Sequence, residues 1–151
     1  MESLRRTLTR TGNRFGVWQY RTLNGRLASG RRGVTVLVIT TPGRRTGISR
    51  ATCVRYLDRP EGFVVWGTGS GSTRDPDWFE NLRAAPTAEV QVMARRLPVR
   101  RRELAGEERD SMWRQVILAA APEVAKYARK AGRTIPVAVL EPMDGADRRG
   151  P

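Results

Sequence analysis

The feature that most constrains this 151-residue chain is a series of short β-branched runs, set apart by turns and rarely by helices. Val34–Thr41 (VTVLVITT) is a continuous run of strand formers and predicts a buried strand, ended by Pro42 and Gly43. Ala51–Leu57 follows the turn GRRTG, and Phe63–Thr68 follows DRPEG; each predicts a further strand. Ala88–Met93 alternates as a strand with one exposed face does. Leu97–Arg102 is expected to pair with it as a hairpin, Pro98 placing it at an edge or a bulge. Ile135–Leu140 closes the series. Helical stretches are few. DWFENLRAA is expected to start with Asp75 as N-cap and Pro76 at its first position. GEERDSMWRQVILAAA carries acids in its first turn, where they suit the helix dipole, and EVAKYARKA ends at Gly132. A doubly wound parallel sheet needs a helix after nearly every strand. This order predicts instead a mainly β fold with some α: a small antiparallel barrel of about six strands with helices across its openings.

A chain of this length makes one domain, able to bury roughly 68–70% of its unfolded surface. The barrel is expected over residues 34–142. The first 33 residues differ: Leu4, Leu8, Phe15, Val17, Trp18 and Tyr20 form an irregular amphipathic helix rich in arginine, followed by the loose connector NGRLASGRRG. Three placements of that helix are open: a lid at the barrel mouth, a peripheral contact with an anionic membrane, or packing on the core. Residues 143–151 are expected to be disordered. No apolar run approaches the ~18 residues of a membrane span, and the N-terminus lacks the core of a signal peptide, so a cytoplasmic location is expected.

The chain has no histidine and a single cysteine, Cys53. A Ser-His-Asp or Cys-His nucleophile, a histidine zinc site, an internal disulfide and a thiolate cluster are all excluded, and no metal is expected. Redox chemistry would have to come from a bound cofactor. The formal charge is +13, and all of the basic residues except Lys126 and Lys130 are arginine. Such an excess points to an anionic partner or to an arginine-rich proteome.

Two segments carry candidate chemistry. In TTPGRRTG (Thr40–Gly47), Gly43 and Gly47 permit a turn whose amides face inward, Arg44 and Arg45 supply forked cations, and Thr46 a hydroxyl; Arg50 follows. Guanidinium groups bind phosphate in bidentate fashion, so the loop suits an anionic ester, although its spacing is not that of a Walker loop. In WGTGSGSTRDPDWFENL (Trp66–Leu82), a strand runs into a small-residue loop and then a helix. Gly67, Gly69 and Gly71 would let backbone approach a flat ligand, and Trp66 and Trp78 would wall a ring.

Taken together, VLVITTPGRRTGISRATCVRYL, FVVWGTGSG, DPDWFENLRAAP and RTIPVAVLEP resemble the deazaflavin (F420)-dependent nitroreductase family of actinobacteria. The resemblance spans about Val34 to Pro142. It implies a split β-barrel of the FMN-binding kind and an oxidoreductase that passes a hydride from reduced 8-hydroxy-5-deazaflavin, coenzyme F420, to a small organic substrate. FMN is the alternative cofactor, since related barrels bind it. By this resemblance Arg44, Arg45 and Thr46 hold the phosphate and the start of the anionic tail. Arg50, Ala51, Thr52, Cys53, Val54 and Arg55 run along the ring and its side chain. Trp66, Gly67, Thr68 and Gly69 contact the ring, and Asp77, Trp78, Phe79, Glu80 and Asn81 close the other side.

The substrate half departs from the family pattern. Two family tyrosines flanking the proline of the last helix are replaced by Ala121 and Val124, while Tyr127 retains a third, and the interval from Trp113 to Pro122 is one residue longer. Trp18, Ala121, Val124 and Tyr127 are the expected substrate pocket, with Tyr127 the candidate proton donor. The acceptor is expected to be a conjugated alkene, an imine, a quinone or a nitro compound, and the protein a monomer or homodimer. Two other functions remain open at this point: a flavin or deazaflavin carrier without redox turnover, and nonspecific nucleic-acid binding driven by charge. No helix-turn-helix, zinc finger or stacking platform is present, so no specific nucleic-acid partner is expected.

Overall fold

The computed structural model describes residues 13, 14, 16–18, 21 and 35–143. Leu4, Leu8, Phe15, Tyr20, the connector 22–33, Val34 and the tail 144–151 lie outside the described residues.

Alternation of apolar side chains builds the wall. The strands are β1 (Thr35–Pro42), β2 (Ser49–Arg59), β3 (Gly62–Trp66), β4 (Thr87–Val92), β5 (Arg95–Glu103) and β6 (Val137–Pro142). They close a barrel in the order β1-β2-β3-β6-β5-β4, with β4 returning to β1, and every pair is antiparallel. One parity of each strand points inward: Leu37, Ile39, Val54, Tyr56, Phe63, Val65, Val90, Leu97, Val99, Ala138 and Leu140 form the interior cluster. The other parity of β1 is apolar as well, and Val17 of the N-terminal helical residues covers it by packing on Val38. That is why Val34–Thr41 reads as a run without alternation. Of the three placements left open, packing on the barrel is the one that the described N-terminal helical residues take: they lie on the outer wall of β1 and β2, where the Asn13 amide also donates to the Ala51 carbonyl at 2.9 Å.

α1 (Asp77–Ala84) plugs one opening, because Phe79 and Leu82, both 0% exposed, join the interior cluster. The remaining helices lie against the outside of β3 and β6. They are α2 (Gly106–Ser111), a π-helical turn (Met112–Ile117), α3 (Leu118–Ala120) and α4 (Val124–Ala131). Their Trp113, Ile117, Ala121 and Val124 cover the outward Val64, Trp66, Val137 and Val139. A π turn takes i→i+5 hydrogen bonds and so absorbs an added residue. It begins at the same place as the lengthened Trp113–Pro122 interval and keeps Trp113 and Ile117 buried together. α4 ends at Gly132, whose φ of 64° is the left-handed cap that glycine favours.

Two local expectations fail. Pro98 sits neither at an edge nor at a bulge: the barrel has no edge, and Pro98 stays in register opposite Glu89. It is tolerated because the β5–β6 ladder begins only at Val99. Asp75 is not the N-cap of α1. Pro76 holds that position without a side-chain bond, and the Asp75 carboxylate turns to Arg133 and Arg83.

Candidate functional site

The β1–β2 turn is fixed from within and from below. The Gly43 amide donates to the Ile48 carbonyl and the Gly47 amide to the Gly43 carbonyl, each at 2.8 Å, and the Ile48 amide donates to the Thr46 hydroxyl. Gly47 takes φ 70°, which explains the glycine. The Arg44 amide and its Nη1 both donate to Asn81 Oδ1, and its Nη2 pairs with Asp77 at 3.1 Å. Two expectations change. These amides close the turn and tie it to α1, so they make no anion cradle. Arg44 is the clasp between turn and helix, with Asn81, 7% exposed, as its seat. Arg45, Thr46 and Arg50 remain exposed, and neither Arg45 nor Arg50 has a hydrogen-bond or ion-pair partner among the described residues.

Strand alternation splits the expected run along β2. Arg50, Thr52 and Val54 share the parity of the interior residues, and Val54 lies in the interior cluster. Ala51, Cys53 and Arg55 share the outer face, where Ala51 and Cys53 pack under the N-terminal helical residues, so one ligand cannot meet all six side chains. Cys53 is half-buried, and burial pushes its thiol up against the opposing pull of Arg21. Arg55 reaches across to the residue before α4: its Nη2 donates to Glu123 at 2.8 Å and its Cζ lies 5.9 Å from the centre of the Trp66 ring. That hydrogen bond is the main reason the Glu123 carboxyl is held below the usual carboxylate range.

The glycine loop after β3 is packed and not open. A Cβ on Gly67 would lie 3.1–3.2 Å from Pro76, Phe79 and Pro136, and one on Gly71, at φ 84°, would lie 2.7 Å from Lys130. Arg133 holds the loop. Its guanidinium donates to the carbonyls of Gly67, Thr68, Ser72 and Arg74 and to Asp75 at 2.6 Å. Asp75 also takes Arg83, which continues to Glu103 and Glu80. The Glu103 hydrogen bond leads in raising the Arg83 guanidinium above its already high ordinary value. Thr68 and Gly69 remain at the surface of this loop, while Trp66 and Gly67 are buried.

Of the remaining expected residues, Phe79 is wholly enclosed in the barrel, where it has no surface for a ring. Ala121 and Val124 are each 2% exposed and packed with Trp113 and Ile117, so their side chains line no open pocket. Trp78 is half-buried against the core edge, Asp77 is exposed and Glu80 is turned to Arg83. Trp18 is 61% exposed. Tyr127 is half-buried, with Lys126 Nζ 5.0 Å from its ring centre, and its hydroxyl has no hydrogen bond among the described residues. Sequence reasoning missed Arg133, Arg83, Glu103 and Glu123. Only the Asp-Pro pair flagged this neighbourhood, and it was read as a cap. No group of metal-ligating side chains occurs among the described residues.

A closed six-stranded antiparallel barrel with a cationic turn at one end and helices along one wall is a split β-barrel. The chain belongs to the F420H(2)-dependent quinone reductase family, whose sequence model matches residues 12–142. It is accordingly an oxidoreductase that carries out F420-dependent reduction, with F420 as cofactor. An F420H(2)-dependent quinone reductase of Mycobacterium tuberculosis is 29% identical over 124 residues, covering 80% of this chain and 83% of that protein. A solved F420-H2 dependent reductase (FDR-A) is 31% identical and superposes with a TM-score of 0.63, covering 71% of this chain and 94% of the other. Another solved structure, described as a domain-swapped dimer, is 28% identical with a TM-score of 0.65 over 93% of this chain and 98% of its own.

Proposed function

We propose that this protein reduces a small quinone-type acceptor with F420H2, gripping the phosphate and anionic tail of the cofactor at Arg45, Thr46 and Arg50. The observation that carries the reading is the division of labour in the β1–β2 turn. Arg44 is spent on holding the turn to α1, while Arg45 and Arg50 stand exposed beside it without a described partner. Guanidinium groups exposed on a fixed turn and without a partner among the described residues fit an anionic ester, which they bind in bidentate fashion. On the outer face of β2 that continues from this turn, Ala51 and Cys53 pack under the N-terminal helical residues, so the ring is proposed to lie at the end of that face, beside Arg55. Bound there, reduced F420 supplies the hydride. The chain orients the ring and holds its charge, and the quinone-type acceptor is supported by the family and its relatives.

Fluorescence titration of F420 tests the grip. Arg45→Ala is expected to weaken binding by about one to two decades, the worth of one charge-assisted contact. Unchanged affinity refutes it. Anaerobic mixing of the F420H2-loaded protein with a soluble naphthoquinone tests the reaction; cofactor oxidation no faster than without quinone refutes the acceptor.

A further inference from the structure

Resting on that reading, we infer that Arg55 binds the substrate itself: its Nε–H donates to the acceptor oxygen of a conjugated carbonyl compound, a quinone or an enone.

Three observations converge on this atom. Arg55 Nε is shut off from solvent and has no hydrogen-bond partner among the described residues. The rest of the guanidinium is held, with Nη2 on Glu123 at 2.8 Å and the Trp66 ring 5.9 Å from Cζ. A donor on a charged group left without a partner costs about 1–3 kcal/mol or more, a cost that an acceptor oxygen seated against the guanidinium relieves. Arg55 also lies on the outward parity of β2 with Ala51 and Cys53, the face proposed for the ring.

The neighbouring helix adds a second donor. Glu123 and Tyr127 are four residues apart at the start of α4 and share one helix face. Tyr127 thus lies on the face of α4 that carries Glu123, and its hydroxyl has no hydrogen bond of its own among the described residues.

The chemistry needs such a pair. A hydride forms a new C–H bond at the conjugated carbon, and the displaced π pair settles on the carbonyl oxygen. Negative charge appears there, where a fixed cationic donor stabilises it most. Guanidinium keeps its protons, so the proton that neutralises the oxygen comes from Tyr127, which water reprotonates, or from water directly. A quinone adduct then tautomerises to the hydroquinone; the bound cofactor would supply the hydride and release its remaining proton to water. Arg55 thus favours an acceptor whose negative charge develops on an atom within reach of its Nε–H.

The test uses Arg55→Lys, which keeps a cation facing Glu123 and Trp66 but removes the Nε–H. Protein loaded with oxidised F420 cannot turn over, so calorimetric titration with a soluble naphthoquinone reads binding alone. The expected result, measured with F420 saturating, is quinone affinity down about tenfold or more and kcat/KM with F420H2 down about ten- to a hundredfold. Equal quinone affinity in variant and wild type overturns the assignment, as does an unchanged kcat/KM. Failure of the wild type to bind F420 instead marks failure of the underlying cofactor reading. Should the variant not fold, the ¹⁵N-labelled wild type decides. The Arg55 Nε–H resonance, assigned through its own side-chain carbons, is expected to shift on adding naphthoquinone, and a stationary resonance overturns the proposal.

Discussion

Replacing Arg133 by alanine is the most informative perturbation of the framework under the site. Arg133 is 15% exposed and Asp75 20%, so their pair is poorly screened. Breaking a largely buried pair from one side costs about 3–5 kcal/mol, since the remaining charge is left uncompensated. Asp75 keeps Arg83 at 3.2 Å, which places the expected loss near the bottom of that range, about 3 kcal/mol. The four loop carbonyls that lose Arg133 can turn to water and add little. For a domain of this size about 3 kcal/mol lowers Tm by about 6–12 °C. Differential scanning calorimetry measures the shift. Arg133→Lys preserves a cation for Asp75 but cannot span four carbonyls, so an intermediate loss is expected. Hydrogen exchange locates the effect: the amides of Gly71 and Ser72, bonded to Thr68 and Gly69, should exchange faster while those of β3 do not. A Tm for Arg133→Ala within about 2 °C of wild type would refute the clamp.

Phe79→Ala should cost about 3–5 kcal/mol, because it empties the plug of the barrel, and urea denaturation measures it. Gly62→Ala should cost about 1–3 kcal/mol in the same assay, since its Cβ would sit 2.5 Å from the Leu140 carbonyl oxygen of β6 and the strands would have to part. For Cys53, burial favours the neutral thiol in the fold, so this contribution to stability is present below the ordinary thiol pKa and fades as pH rises through the elevated one. Alkylation by iodoacetamide should therefore be slow at pH 7 and accelerate only in more alkaline solution than for a free thiol; fast modification at pH 7 contradicts it. Glu123 has the opposite sign. Its pair with Arg55 is complete above the ordinary carboxylate pKa and is lost as pH falls through the depressed one, which an NMR titration of the Glu123 carboxyl reads directly.

The barrel was legible because its information is local. β1, β4 and the β1–β2 and β2–β3 turns are written in alternation, β-branched residues, glycine and proline within a few positions of one another, and the family motifs span the same stretch. Arginine roles were not legible. Arg44, Arg45 and Arg50 read alike in the sequence, yet Arg44 is committed to Asn81 and Asp77 while the other two are exposed. Nothing near Arg133 in the chain announces Asp75, 58 residues away, or the loop carbonyls it collects.

By itself, then, the order of residues determined a small antiparallel β protein without histidine chemistry, one that depends on a borrowed redox group and has a basic first hairpin. Only the tertiary structure decided which guanidinium groups are structural clasps and which are exposed for a ligand. It also sent alternate residues of β2 to opposite faces and brought Arg55 to Glu123. The physical reason is range. Strand, turn and cap preferences act over a few residues and are stated in the sequence. A side chain five or six bonds from its backbone takes its partner from whatever barrel closure carries within about 3 Å, and that is fixed by the packing of distant segments.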